Sequence, residues 1–82
     1  MGYNNIGGSY SLIGDHKKAL DYKLKALEIK SKNNLMDNED KAWSYDNVGI
    51  EYSELGEKDK ALEYKKKVSN LTKILNFFII FN

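Results

Sequence analysis

The sequence contains no cysteine, no proline and no arginine, and it has a single histidine and a single tryptophan. Each shortage removes a class of protein. Without cysteine there is no disulfide framework, no thiolate metal site and no cysteine nucleophile. One histidine cannot build a multi-histidine metal centre. The 13 basic residues are all lysine and face 12 acidic ones, for a net charge of +1. A balanced chain without guanidinium groups lacks the basic face and bidentate phosphate contacts of a nucleic-acid binder. Long apolar runs are also missing. The longest, Phe77-Phe78-Ile79-Ile80-Phe81, is far short of the ~20 residues of a membrane helix. The opening Met1-Gly2-Tyr3-Asn4-Asn5-Ile6 has no basic region or apolar stretch of a signal peptide, and Ile6 stands where myristoylation needs Ser or Thr. Asn70-Leu71-Thr72 is formally a glycosylation sequon, without a secretory signal to give it meaning. The expectations are a cytoplasmic chain with no membrane or nucleic-acid partner, no metal and no other cofactor. Its 82 residues make one small domain. With 30% charged residues and a mean hydropathy of −0.62, an elongated or repetitive helical surface is expected rather than a thick core.

What the chain does have is a copy of itself. Shifted by 42 residues, Tyr3-Asn4-Asn5-Ile6-Gly7 falls on Tyr45-Asp46-Asn47-Val48-Gly49, and 12 identities accumulate over residues 3–25. Average composition gives about one or two by chance. Each unit reads as two helices. In the first unit Tyr3, Ile6, Gly7, Tyr10, Ile13 and Gly14 follow the i, i+3, i+4, i+7 spacing of one helical face. Gly14 ends that helix, because glycine takes the left-handed conformation cheaply. Asp15 then caps the next helix, which turns Ala19, Leu20, Ala26 and Leu27 inward and Lys17, Asp21, Lys25 and Glu28 outward. The second unit repeats the logic through Tyr45, Val48, Gly49, Tyr52, Leu55 and Gly56, then Ala61, Leu62, Tyr64, Val68 and Leu71. Between the units Lys32-Asn33-Asn34-Leu35-Met36-Asp37-Asn38 marks a turn, with Asp37 or Asn38 as the cap. Helices are predicted over 1–13, 16–32, 38–55 and 58–75. Gly7/Gly49 and Ala19/Ala61 let the paired helices approach closely, and Tyr10/Tyr52 supplies a flat body beside those gaps.

Tyr-x-x-Ile-Gly-x-x-Tyr (3–10) and Tyr-x-x-Val-Gly-x-x-Tyr (45–52) resemble the first helix of a tetratricopeptide repeat, with Tyr in place of Trp. Residues 14–22 and 56–64 resemble its turn and second helix. The 42-residue period is similar to the extended repeats of kinesin light chains and of the partner-of-inscuteable type of adaptor. The resemblance implies an all-α solenoid of antiparallel helix hairpins: a repeat over 1–36 with its first helix truncated, a second over 37–73, and an apolar tail over 74–82. Two departures stand out. Lys23 and Lys65 occupy the position of a large aromatic, with Tyr22 and Tyr64 one residue earlier to compensate, and the closing Pro is missing. Arrays of this kind want three or more repeats, so the chain is expected to be about two units of a longer one.

The resemblance also implies function: a non-catalytic module that binds a protein or peptide segment in the concave groove of a scaffold or adaptor. The alternative is a structural or self-associating segment without its own ligand. In the family, an Asn at the Asn5 and Asn47 positions faces the groove and bonds a peptide backbone; the alternative is pairing with a neighbouring helix end. Trp43, Asp46, Ile50, Ser53 and Glu54 complete the candidate groove of the second repeat. Trp43 is either a binding hot spot or packs on the preceding helix. Chaperone-binding relatives clamp a terminal carboxylate with a Lys where this chain has Asn4 and Asp46, so that clamp is absent. His16 reads as an exposed turn histidine rather than a general base, because no partner lies near it in the pattern. Glu51 and Glu54 read as ordinary exposed carboxylates. Lys65-Lys66-Lys67 reads as a solvated helix face, with a weak anion-binding patch as the sharper alternative. The tail is a hydrophobic cap, an interaction segment open to self-association, or an accident of where the chain ends.

Overall fold

A computed structural model describes residues 2–81, with side chains over 2–74. It contains four helices: α1 Tyr3–Leu12, α2 His16–Lys32, α3 Asn38–Glu54 and α4 Lys58–Phe81. Each packs on its neighbour in the chain, giving two helix hairpins joined through α2 and α3. The all-α architecture of paired hairpins is the one the duplication predicts. Three starts, at 16, 38 and 58, coincide with the predicted ones, and α4 runs six residues past its predicted end, so 74–81 extend a helix. The packing of the tail, whether as cap or interface, lies outside the described side chains.

The turns follow from local chemistry. Gly14 and Gly56 take φ of +83° and +78°. Each lets the next N–H reach back five residues: Asp15 donates to the Tyr10 carbonyl and Glu57 to that of Tyr52, both at 2.9 Å. Asn34 does the same work at the end of α2 with φ of +54°, and Leu35 donates to the Lys30 carbonyl at 3.0 Å. Asparagine is among the few non-glycine residues that tolerate this conformation. Asp15 caps α2 by accepting from the Lys18 amide. Asp37, rather than Asn38, caps α3, in a reciprocal pair with Asp40.

Within each hairpin a tyrosine from the second helix lies between two from the first. The Tyr22 ring centroid is 6.0 Å from Tyr3 and 5.5 Å from Tyr10; that of Tyr64 is 5.9 Å from Tyr45 and 5.6 Å from Tyr52. Such stacks add stabilisation beyond the area they bury. Tyr22 and Tyr64 thus compensate for the missing aromatic. Lysines stack over the outer rings in register, Lys18 and Lys25 in the first repeat and Lys60 and Lys67 in the second.

The core lies between the repeats. Leu20 and Leu27 of α2 meet Val48 of α3, with Leu24, Met36, Tyr45, Tyr52 and Tyr64 packed around them. Ala19 and Ala26 are buried as predicted. In the second repeat the inward pattern is only half realised. Leu62 is 51% exposed, and Ala61, Val68 and Leu71 are partly covered, because no described element packs on the outer side of α4. Ile13 and Leu55 are exposed as well: each is the C-cap residue, beyond the last turn that faces a neighbour.

Candidate functional site

Two features stand out: a buried charged junction and an open cleft. The junction centres on Glu51 of α3, which is fully buried. Its Oε1 accepts from the Ser11 hydroxyl at 2.6 Å and the Lys23 ammonium at 3.0 Å. Its Oε2 accepts from His16 Nδ1 at 2.8 Å. Ser11 sits at the end of α1 and His16 and Lys23 are on α2, so one carboxylate ties three helices together. No buried side-chain nitrogen or oxygen among the described residues lacks a partner. Burial pushes the Glu51 carboxyl up, but the hydrogen bonds from Ser11, His16 and Lys23 and the Lys23 charge outweigh it and hold the carboxyl below its ordinary value of 4.5.

This arrangement corrects three sequence expectations. His16 is not a free turn histidine: Glu51 holds its Nδ1, and Glu54 lies 3.8 Å from its Nε2. Lys23 is not a mere loss of an aromatic: it fills that place as a buried cation. Glu51 is not an exposed carboxylate. A signal for it was present, since Ser44, Val48 and Glu51 follow i, i+4, i+7 and all three are buried. The cluster contains serine, histidine and glutamate, yet it is not a nucleophile relay. A relay needs the serine proton on the imidazole, whereas the Ser11 hydroxyl donates to the carboxylate.

A depressed native pKa makes stability depend on acid. The Glu51 contribution is present above its unfolded value and is lost as pH falls through the lower folded one. Thermal melts are therefore expected to show the parent Tm falling below about pH 4.5, with a shallower fall for Glu51→Gln. Parallel slopes for the two chains would refute the assignment.

The cleft, of about 790 Å³, lies between the start of α1, the end of α2, the connecting loop and α3. Asn5, Tyr3, Ile29, Leu35 and Trp43 line it, with Lys30 beside them. Trp43 is 58% exposed and Leu35 and Ile29 are exposed too, an apolar patch with two amides, Asn4 and Asn5, and one ammonium in it. Two candidate groove residues from different repeats, Asn5 and Trp43, thus meet in one cleft. Three others, Asp46, Ile50 and Ser53, line a smaller furrow of about 250 Å³ between α3 and α4, with Lys65 on its other wall. Asn47 lines neither: its amide donates to the Trp43 carbonyl one turn back, at 3.0 Å. Glu54 belongs to the junction with His16.

Paired helices of matched sequence, stacked through an interhelical core, define an α-helical repeat protein. A family model for the tetratricopeptide repeat matches residues 1–73, and the chain belongs to that family. Neither the curated proteins nor the solved structures offer a match. Tetratricopeptide repeats serve protein–protein interaction and are typically non-catalytic, which sets the class of function here. Among the described residues no helix is long and apolar enough to cross a membrane, and no group of three or more His, Asp or Glu could hold a metal.

Proposed function

We propose that the chain binds an extended protein segment in the groove formed by the first helices of its repeats, as part of a scaffold or adaptor. The observation that carries this reading is the joining of Asn5 and Trp43 in one apolar cleft that spans both repeats. Exposed aromatics in such positions supply most of the contact energy at interfaces. Asn5 supplies a donor and an acceptor for a peptide backbone. Asn47 acts one step removed: its bond to the Trp43 carbonyl supports the turn that presents the indole.

The ligand can be chosen without knowing its natural identity. A random peptide library displayed on phage, selected against the full chain, supplies a probe. Trp43→Ala is expected to weaken the selected peptides by about tenfold or more. Its Tm should stay unchanged, because the ring is mostly exposed. Asn5→Ala is expected to cost less, about the value of one hydrogen bond. Peptides that bind both variants as well as the parent would place recognition elsewhere and sink the groove reading.

A further inference from the structure

The junction around Glu51 has an open counterpart in the second repeat. Shifted by 42 residues, Ser11 becomes Ser53, His16 becomes Lys58 and Lys23 becomes Lys65. All three donors to the buried carboxylate therefore have a hydrogen-bond donor at the matching place in the second hairpin. The backbone setting is copied too. Glu51 reaches Ser11 of α1 and Lys23 of α2, whose stem lies against Gly7, and the furrow between α3 and α4 runs past Asp46, Gly49, Ser53 and Lys65. Lys58 and Lys65 have no ion-pair partner among the described residues.

We infer that the furrow between α3 and α4 is a seat for the glutamate of a partner protein's helix, which docks on α4 as α3 docks on α2. The chain's own packing specifies that helix. It presents a small residue, an apolar residue four positions on and a glutamate three further, as Ser44, Val48 and Glu51 do. The apolar residue meets Leu62, the counterpart of Leu20, and the glutamate meets Ser53 and Lys65. Lys58 stands where the histidine is, and Asp46, which lines the furrow, stands where the first repeat has Asn4, so the lysine charges of the seat face one carboxylate at its edge. The surroundings are more polar than those of Glu51, since Lys66 and Ser69 stand where Leu24 and Leu27 pack. Selectivity there rests on charge and hydrogen bonding more than on apolar area. Three acidic residues of α3 lie near Ser53. Asp46 lines the furrow itself, two turns and about 10 Å along the helix from Ser53, Glu51 is bound to Lys23, and Glu54 is engaged toward His16.

The partner is not a second copy stacked head to tail. In this chain the residue equivalent to Glu51 on α1 is Ser9, which has no carboxylate to offer. That difference gives the test. Ser9 is exposed, and Ser9→Glu gives α1 the missing group, so the full-length variant becomes its own partner. Head-to-tail contacts do not close on themselves, so the weight-average mass in sedimentation equilibrium should rise with concentration. Ser9→Glu is expected to self-associate about tenfold or more tightly than the uncharged control Ser9→Gln. Adding Lys65→Ala should abolish the difference, and adding Lys73→Ala, two turns away, should preserve it. The swapped pair Ser9→Lys/Lys65→Glu should associate again. Circular dichroism confirms that each variant keeps its helices. Equal association of Ser9→Glu and Ser9→Gln overturns the seat. So does a gain that Lys73→Ala removes as fully as Lys65→Ala, which would be bulk charge. Trp43→Ala leaves this association unchanged, which separates it from the groove.

Discussion

Glu51→Ala is expected to lower the melting temperature by more than any surface substitution would. The reason is what it leaves behind. Lys23 is 9% exposed, and Glu51 is its only ion-pair partner among the described residues. Stranding one member of a buried pair costs about 3–5 kcal/mol. A chain of this size has roughly 4–12 kcal/mol of stability in all. A loss of 3 kcal/mol lowers Tm by about 12 °C or more in a small domain, so a drop below about 10 °C would contradict the expectation. The double variant Lys23→Met/Glu51→Leu is expected to recover most of the loss, because apolar groups of similar volume often replace a buried ion pair at no net cost. Recovery would show that the pair fixes which helices meet more than it adds net stability.

The two glycines of the repeat signature are expected to respond differently to the same change. A Cβ at Gly7 would lie 2.9 Å from Lys23 Cγ and 3.1 Å from the Ala19 carbonyl oxygen. Both neighbours are fixed, one as backbone and the other as the stem of a side chain anchored on Glu51. A Cβ at Gly49 meets Tyr64 Cβ at 3.3 Å and the Ala61 carbonyl oxygen at 3.7 Å, contacts that a small shift absorbs. Alanine favours a helix interior by roughly 1 kcal/mol over glycine, while overpacking costs about 1–3 kcal/mol. Gly49→Ala should therefore melt at or above the parent, and Gly7→Ala below it by the equivalent of up to about 2 kcal/mol. Equal melting temperatures would show that Lys23 yields, and that its stem is not held as tightly as its bonds imply.

Periodicity made the helices and turns legible in the sequence, and the duplication made the pairing of helices legible. Gly14 and Gly56 needed only their own chemistry to be placed at turns. The candidate groove was legible in part. Asn5 and Trp43 could be chosen from the family pattern, but their meeting in one cleft depends on how α1 crosses the loop after α2. The junction stayed hidden for a physical reason. Polar residues at spacings typical of a solvated face look exposed until the helix that covers them is in place. Lys23 and Glu51 lie 28 residues apart in different repeats, and nothing in the pattern of either helix pairs them. Ile13 and Leu55 erred the other way, as apolar residues at a helix end with nothing left to face.

The placement of the core gives the molecule a grain that differs from its sequence. The duplicated units divide between α2 and α3, yet the most deeply buried side chains bridge that division. The element with the fewest escape routes is therefore neither repeat but the α2–α3 pair, half a period out of step. A lesion in either copy is felt by both, since each contributes one wall of the same interior. Evolution by copying a hairpin thus yields a cooperative unit that no single copy encodes, and the outer helices, on whose far sides no described residue packs, are its weakest links.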